Sequence, residues 1–294
     1  MSAKLLLGTK RAEQIIEGVK AEIKTLFEKT GRRPHLKVLV VSSDKASEAY
    51  IKRQRIACEQ AGIEYSLERL PDCANTDEIL KHIEVLNRLD AITGIMLQKP
   101  VPDCIDARCA QTAITPKKDV EGVSPANLGK LISARADIIP CTAAAVIELL
   151  KDASVEVSGK EVTIIGHSEI VGKPLALLLL ARFATVTVCH IETQDISKHT
   201  KSADIVISAT GKAHLIKAEM LKNGVVVVDV GYSKLSDAKA NGADKTKTKI
   251  VGDVDFENVK KIASLITPVP GGVGPLTTAM LIKNTLIAFK KQIS

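Results

Sequence analysis

The chain has 294 residues, room for one large or two ordinary domains, and its 45% hydrophobic content is enough to bury real cores. Aromatics are only 2% and Trp is absent, so those cores are aliphatic, as in α/β proteins with buried parallel strands. A net charge of +7 favours anionic partners; basic residues interleaved with aromatics, the usual reader of nucleic acid, are missing, so a polyanionic small molecule or nucleotide cofactor is expected and nucleic acid is not.

Thr9 can cap a helix over 10–29, where Ile15, Ile16, Val19, Ile23, Leu26 and Phe27 recur at helical spacing. LKVLVVS (36–42) reads as a buried strand, and a helix over 45–61 ends at Gly62, a left-handed terminator. A strand at 64–70, a helix over 76–89 and the strand TGIMLQ (93–98) continue the alternation until KPVPD, whose prolines cannot extend a central strand. The second half repeats the theme. Strand and turn at 159–168 precede a helix at 172–183, and strands follow at 185–192, 203–211 and 225–233. The polar segment 233–250 reads as a surface loop, and a last helix over 275–290 follows a Gly- and Pro-rich stretch. Strands alternating with helices predict parallel sheets in two domains.

The six cysteines (58, 73, 104, 109, 141 and 189) show no CxxC and no metal-ligand spacing with the histidines; reduced thiols and no metal are expected. Three consecutive leucines near the N-terminus are too few for a signal-peptide core, and no run approaches the length of a membrane span. A cytoplasmic protein without a membrane partner is the expectation.

GHSEIVGKP (166–174) follows a strand and opens a helix, where α/β proteins hold a pyrophosphate at a helix N-terminus, although the spacing is not GxGxxG. The next strand ends in Cys-His-Ile191-Glu192, where an acidic residue suits the ribose of NAD and repels the 2′-phosphate of NADP.

The chain resembles the methylenetetrahydrofolate dehydrogenase/cyclohydrolase family over essentially its full length. The most specific match is ITPVPGGVGPLTTAMLIKNTL (266–286), supported by QKPVP (98–102), PKKDVEG (116–122), PANLGKL (125–131), PCT (140–142), GHSEIVGKP (166–174), DVG (229–231) and GDVDFE (252–257). The resemblance implies a homodimer. Each subunit would have an N-terminal α/β catalytic, folate-binding domain (1–140 with 275–294) and a Rossmann-like NAD(P)-binding domain with a parallel sheet (141–274). It also implies oxidation of 5,10-methylenetetrahydrofolate to the methenyl cation with NADP or NAD, then hydration to 10-formyltetrahydrofolate. Mapped by motif, Tyr50, Gln54, Gln98 and Glu121 fall at catalytic positions. Tyr50, Gln98, Lys99, Pro100, Pro270, Gly271, Gly272, Val273, Gly274 and Pro275 fall at the substrate. Gly166, His167, Ser168, Ile191, Glu192, Gly211 and Tyr232 fall at the cofactor.

Several of these depart from the family pattern. Gln54 stands where the family has its working lysine, one helical turn after Tyr50, and an amide cannot exchange protons near neutral pH. Glu121 replaces an aspartate and reaches one methylene further. Lys52 lies about 200° around the helix from Tyr50, and Arg53 is a poor base. His167 replaces an arginine and Ile191 a serine, both partners of a 2′-phosphate. Ala143 and Ala145 follow PCT in place of proline and glycine, and Tyr232 replaces a smaller aliphatic residue. Hydride transfer, which requires mainly positioning, survives these changes, whereas hydration becomes doubtful. The alternatives are the ordinary bifunctional enzyme and a non-catalytic folate-binding paralogue.

Overall fold

The computed structural model describes residues 2–41, 45–71, 74–236 and 248–294. In chain order the elements are β1 (Lys4–Leu5), α1 (Thr9–Thr30), β2 (His35–Val40), α2 (Lys45–Ala61), β3 (Glu64–Arg69), α3 (Thr76–Arg88) and β4 (Gly94–Leu97), followed by three helices, α4 (Ala107–Ala113), α5 (Pro125–Ile132) and α6 (Cys141–Asp152). Then come β5 (Glu161–Ile165), α7 (Gly172–Leu180), β6 (Thr185–Cys189), α8 (Ile196–Thr200), β7 (Ile205–Ser208) and β8 (Val226–Asp229). The chain closes with β9 (Ser233–Ser236), β10 (Thr248–Val251), α9 (Phe256–Val259), β11 (Leu265–Ile266) and α10 (Val273–Ile293).

The elements form two compact units. One contains Ala12–Cys141 with Thr278–Ser294, and the other Met1–Arg11 with Thr142–Thr277. In the first, a parallel sheet of order β3-β2-β4 is covered on both faces, and the period of two along β2 explains how. Leu36, Val38 and Val40 meet Val19 and Ile23 of α1, Ile51 and Cys58 of α2, and Leu281, Ile282 and Leu286 of α10. Leu39 instead joins Ile95 and Leu97 of β4 against Ile79, Ile83 and Leu86 of α3. The final helix is therefore part of this unit's core.

The second unit is a six-stranded sheet of order β1-β11-β8-β7-β5-β6 in which every pairing is parallel. Its core is aliphatic, as the composition requires. The strand order reverses at β5, which has β6 on one side and β7 on the other, the arrangement that opens a ligand crevice at the carboxyl ends. Two differences from the sequence reading emerge. Residues 1–11 group with this unit, because β1 pairs with β11 at Lys4↔Leu265 and Leu5↔Ile266; strands of two residues carry no periodicity to read. Part of the polar segment 233–250 is an antiparallel hairpin of β9 and β10, while its residues 237–247 lie outside the described residues.

Asn284 on α10 fastens the first unit. Its buried Nδ2 donates to the carbonyls of Val120 (2.9 Å) and Ile139 (2.8 Å). Asn284→Ala takes the donor from the Ile139 carbonyl and leaves that of Val120 only the weak Cys141 thiol (3.6 Å), an expected loss of about 1–3 kcal/mol. Urea unfolding followed by circular dichroism would show it as a lowered midpoint; an unchanged midpoint would mean that water replaces the amide without cost.

Candidate active site

In the first unit the site is built around a turn that Asp119 shapes. Its carboxylate accepts from the backbone N–H groups of Gly122 (3.0 Å), Val123 (3.3 Å) and Ser124 (2.7 Å) and from Asn127 Nδ2 (2.9 Å). Gly122 takes a left-handed φ of 73°, and a Cβ there would lie 2.6 Å from the carbonyl carbon of Ile139, so the tight turn requires glycine. Ser124 then caps α5, with Pro125 in its first turn. This turn carries Glu121, whose side chain hydrogen-bonds Gln111 of α4 and feels the charges of Asp119 and Lys99.

Tyr50 and Gln54 sit one turn apart on α2, and their side chains hydrogen-bond each other. Gln54 is fully buried, its Nε2 on Met96 Sδ (3.3 Å) and its Oε1 near the Tyr65 hydroxyl (3.5 Å). Burial, then the neighbouring Cys141, pushes the Tyr50 phenol up to about 12; Glu121 adds to the rise. The Cys141 thiol is pushed up strongly by burial and then by Glu121 and Asp119, so both groups stay protonated near neutral pH. The Glu121 carboxyl is pushed up to about 7, first by burial and then by Asp119, with Lys99 and Gln111 pulling the other way. Gln98, at the end of β4, donates from Nε2 to the Lys99 carbonyl (2.7 Å), while its buried Oε1 has no partner among the described residues. The Lys99–Pro100 bond that follows is cis.

In the second unit the loops after β5, β6, β7 and β8 gather at the carboxyl ends of the sheet. A Cβ on Gly172 would lie 1.9 Å from the Gly166 carbonyl oxygen, and one on Gly166 would lie 2.4 Å from that of Ala209. Backbones therefore pack together where the first helix begins, the close approach a pyrophosphate site requires. Ser168 Oγ accepts from the N–H of Val171 (3.2 Å) inside this turn. Because β5 and β6 are neighbours, the His167 and His190 rings meet edge-on, centroids 5.2 Å apart. Ile191, 79% exposed, and Glu192 follow. After β7, Thr210 N–H (2.6 Å) and the Ser208 hydroxyl (2.8 Å) donate to Asp253 Oδ2, and Gly211 takes a φ of 70°. Asp229, at the end of β8, accepts from the N–H of Gly231, Asp253 and Val254; burial first raises its carboxyl to about 6. Tyr232 is half-exposed beyond it.

The segment Pro270–Pro275 begins at a cis Val269–Pro270 bond and leads into α10. Gly8 N–H donates to the Gly271 carbonyl (3.0 Å), Gly272 N–H donates to that of Pro268 (2.9 Å), and Val273 is buried. Gly274 has open space around its Cα and Pro275 sits in the first helical turn. The structure thus groups Tyr50, Gln54, Gln98, Lys99 and Glu121 in one unit and the nucleotide-loop residues in the other. Sequence reading missed Asp119, Gln111, Asn284 and Asp253. The signal for Asp119 was present, an Asp-x-x-Gly turn ahead of Ser-Pro. Among the described residues no group of three His, Cys, Asp or Glu side chains could hold a metal, and five cysteines are unpaired thiols; Cys73 lies outside those residues.

A parallel sheet with a strand reversal, glycine-tight loops at its carboxyl ends and a separate α/β unit holding a tyrosine, amides and a titratable carboxyl define a two-domain α/β protein of the dinucleotide-binding class. Residues 6–121 match the model for the catalytic domain of tetrahydrofolate dehydrogenase/cyclohydrolase, and residues 140–293 match the model for its NAD(P)-binding domain. The bifunctional protein FolD of Aquifex aeolicus is 47% identical over 99% of this chain and 97% of its own. The crystal structure of bifunctional FolD from Campylobacter jejuni superposes with a TM-score of 0.92 at 41% identity, covering 99% of both chains. The Trypanosoma brucei enzyme, solved with NADP and an inhibitor, gives 0.93 at 36% identity, covering 100% of this chain and 99% of that one. The chain belongs to the tetrahydrofolate dehydrogenase/cyclohydrolase family.

Gly172→Ala drives a methyl into the Gly166 carbonyl and must spread the turn. Binding of NADH or NADPH, followed by cofactor fluorescence, should weaken at least about ten-fold, or about 1.4 kcal/mol. Unaltered affinity would remove this turn from the cofactor site.

Proposed function

We propose that the protein oxidises 5,10-methylenetetrahydrofolate to 5,10-methenyltetrahydrofolate with NAD or NADP. The observation that carries the reading is the cluster of Tyr50, Gln54, Gln98 and Glu121 in a chain whose other unit is an NAD(P)-type sheet. The tight backbone packing of Gly172 on Gly166 fits a dinucleotide pyrophosphate. Gly166, His167, Ser168, Ile191, Glu192, Gly211 and Tyr232 would hold that cofactor, which when bound supplies the hydride acceptor. The folate would lie against Tyr50, Gln98, Lys99 and Pro100 in the first unit; Pro270, Gly271, Gly272, Val273, Gly274 and Pro275 are substrate positions on the family resemblance alone.

Hydride departure needs alignment and no base, because the folate nitrogen's electron pair stabilises the cation that forms. Tyr50, protonated at neutral pH, offers a ring face and a hydroxyl, and Gln98 Oε1 is an acceptor without a donor among the described residues. Gln54 closes the lysine route to hydration. A second reading, the bifunctional enzyme that also forms 10-formyltetrahydrofolate, is favoured by the bifunctional relatives and by a Glu121 carboxyl that titrates near neutrality. Family membership supports a homodimer, which light scattering would test. A cytoplasmic location accords with the finding that, among the described residues, no helix is long and apolar enough to cross a membrane.

The deciding assay supplies methylenetetrahydrofolate with NAD or NADP and follows reduced cofactor, methenyl and formyl products separately. Cofactor reduction matched by one-carbon oxidation is expected, and none with either cofactor would leave a folate-binding protein without this chemistry. Introducing Gln54→Lys should raise the formyl-to-methenyl ratio at least about ten-fold. Glu192 sets the cofactor balance: wild type should favour NAD, and Glu192→Lys should shift the NADP-to-NAD ratio of kcat/KM upward by about ten-fold or more. A strong wild-type preference for NADP would refute that assignment.

A further inference from the structure

Asp253 lies just after β10, fully buried, and its carboxylate serves loops other than its own. Its backbone is fixed first. The Asp253 N–H donates to Asp229 Oδ1 (3.0 Å), and its carbonyl accepts from the Ile216 N–H (3.0 Å). From that anchor Oδ2 reaches the loop after β7, accepting from the Ser208 hydroxyl (2.8 Å) and the Thr210 N–H (2.6 Å). Oδ1 is buried with no hydrogen-bond partner among the described residues. It lies against Gly231 on the loop after β8, where a Cβ would come within 2.0 Å of it. A carboxylate oxygen buried without a donor is costly, and this separates Asp253 from Asp229, whose two oxygens both accept from N–H groups. One side chain thus touches two loops at once.

Those loops have a definite place relative to a dinucleotide. The glycine-tight turn after β5 suits the pyrophosphate and the end of β6 the adenosine ribose, so the adenosine half takes the β5–β6 side. β7 lies on the other side of β5 with β8 beyond it, and the nicotinamide half falls there. Resting on the NAD(P) reading above, we propose that Asp253 is a positioning residue for the nicotinamide half of the cofactor, holding Thr210 and Gly231 at a fixed separation. A second tie, from Ser233 Oγ to the Gly211 carbonyl (2.9 Å), is neutral and exposed to solvent. Hydrogen bonds to a carboxylate are roughly twice as strong as neutral ones, and burial strengthens them further, so Asp253 sets the spacing. Hydride transfer is the step that depends on it, because a misplacement of about 1 Å costs about 10²-fold in rate.

The test compares the reduced cofactor that wild type prefers, NADH or NADPH, with the same molecule lacking nicotinamide, ADP-ribose or its 2′-phosphate. Both are titrated calorimetrically, and cofactor reduction with methylenetetrahydrofolate gives kcat. Asp253→Ala should weaken the reduced cofactor about ten-fold or more and leave the nicotinamide-free ligand within about three-fold of wild type. Its kcat should fall by about 10²-fold. Asp253→Asn keeps an oxygen for Ser208 and Thr210 but loses the charge, so it should lie between, with the ratio of the two affinities shifted about three-fold. A side chain that only holds the fold moves both ligands together. Equal losses therefore overturn the proposal, as do unchanged affinities with kcat within about three-fold of wild type. Where Asp253→Ala does not fold, Asp253→Asn decides by the same ratio, and an unchanged ratio overturns the proposal. Binding of neither ligand by wild type overturns the cofactor reading instead.

Discussion

The Asp119 carboxylate is the group on which the first unit's site depends. Four N–H donors converge on its two oxygens, and hydrogen bonds to a carboxylate contribute roughly 1.5–3 kcal/mol each. That suffices to fix a turn in which Gly122 must be left-handed and must press against Ile139. The turn is also tied to the sheet, since Asp119 bridges Ile95 of β4. Asn284 clamps the Val120 carbonyl from α10. Glu121 is thereby held from three directions, and its surroundings follow from backbone hydrogen bonding more than from its own side chain.

The nucleotide unit uses the same device twice. Asp229 gathers the N–H groups of Gly231, Asp253 and Val254, and Asp253 in turn gathers Ser208 and Thr210. A Cβ on Gly231 would fall 2.0 Å from Asp253 Oδ1, so the loops after β7 and β8 interlock through carboxylates that leave no room for a side chain. In both units an acidic residue, Asp119 at a lone bridge to β4 and Asp229 at the end of β8, converts loose loop into a defined surface.

What the sequence revealed tracks the length of each signal. From α1 to β4 the long amphipathic helices and apolar strands lie close to their expected bounds, because periods of 3.6 and 2 are unambiguous there. The short helices α4 and α5 went unread, although Asp106 and Ser124 cap them, since seven or eight residues show too little periodicity. Tyr50 and Gln54 were legible as one helical face. The contact of His167 with His190 depends on strand adjacency, and the surroundings of Glu121 on the Asp119 turn, which no local pattern encodes.

Position 54 holds a buried amide, and position 121 a carboxyl raised by burial and Asp119. A lysine at 54 would place an ammonium in a fully buried position beside Tyr50, at a desolvation cost that nearby carboxylates would have to offset. Glutamine at this position carries no charge and is engaged by Met96 Sδ and the Tyr65 hydroxyl. Burial and then Asp119 dominate Glu121, and Lys99 and Gln111 offset them only in part. Hydride transfer does not sense this change because it moves no proton. Hydration must move protons, which an amide at position 54 cannot do near neutral pH.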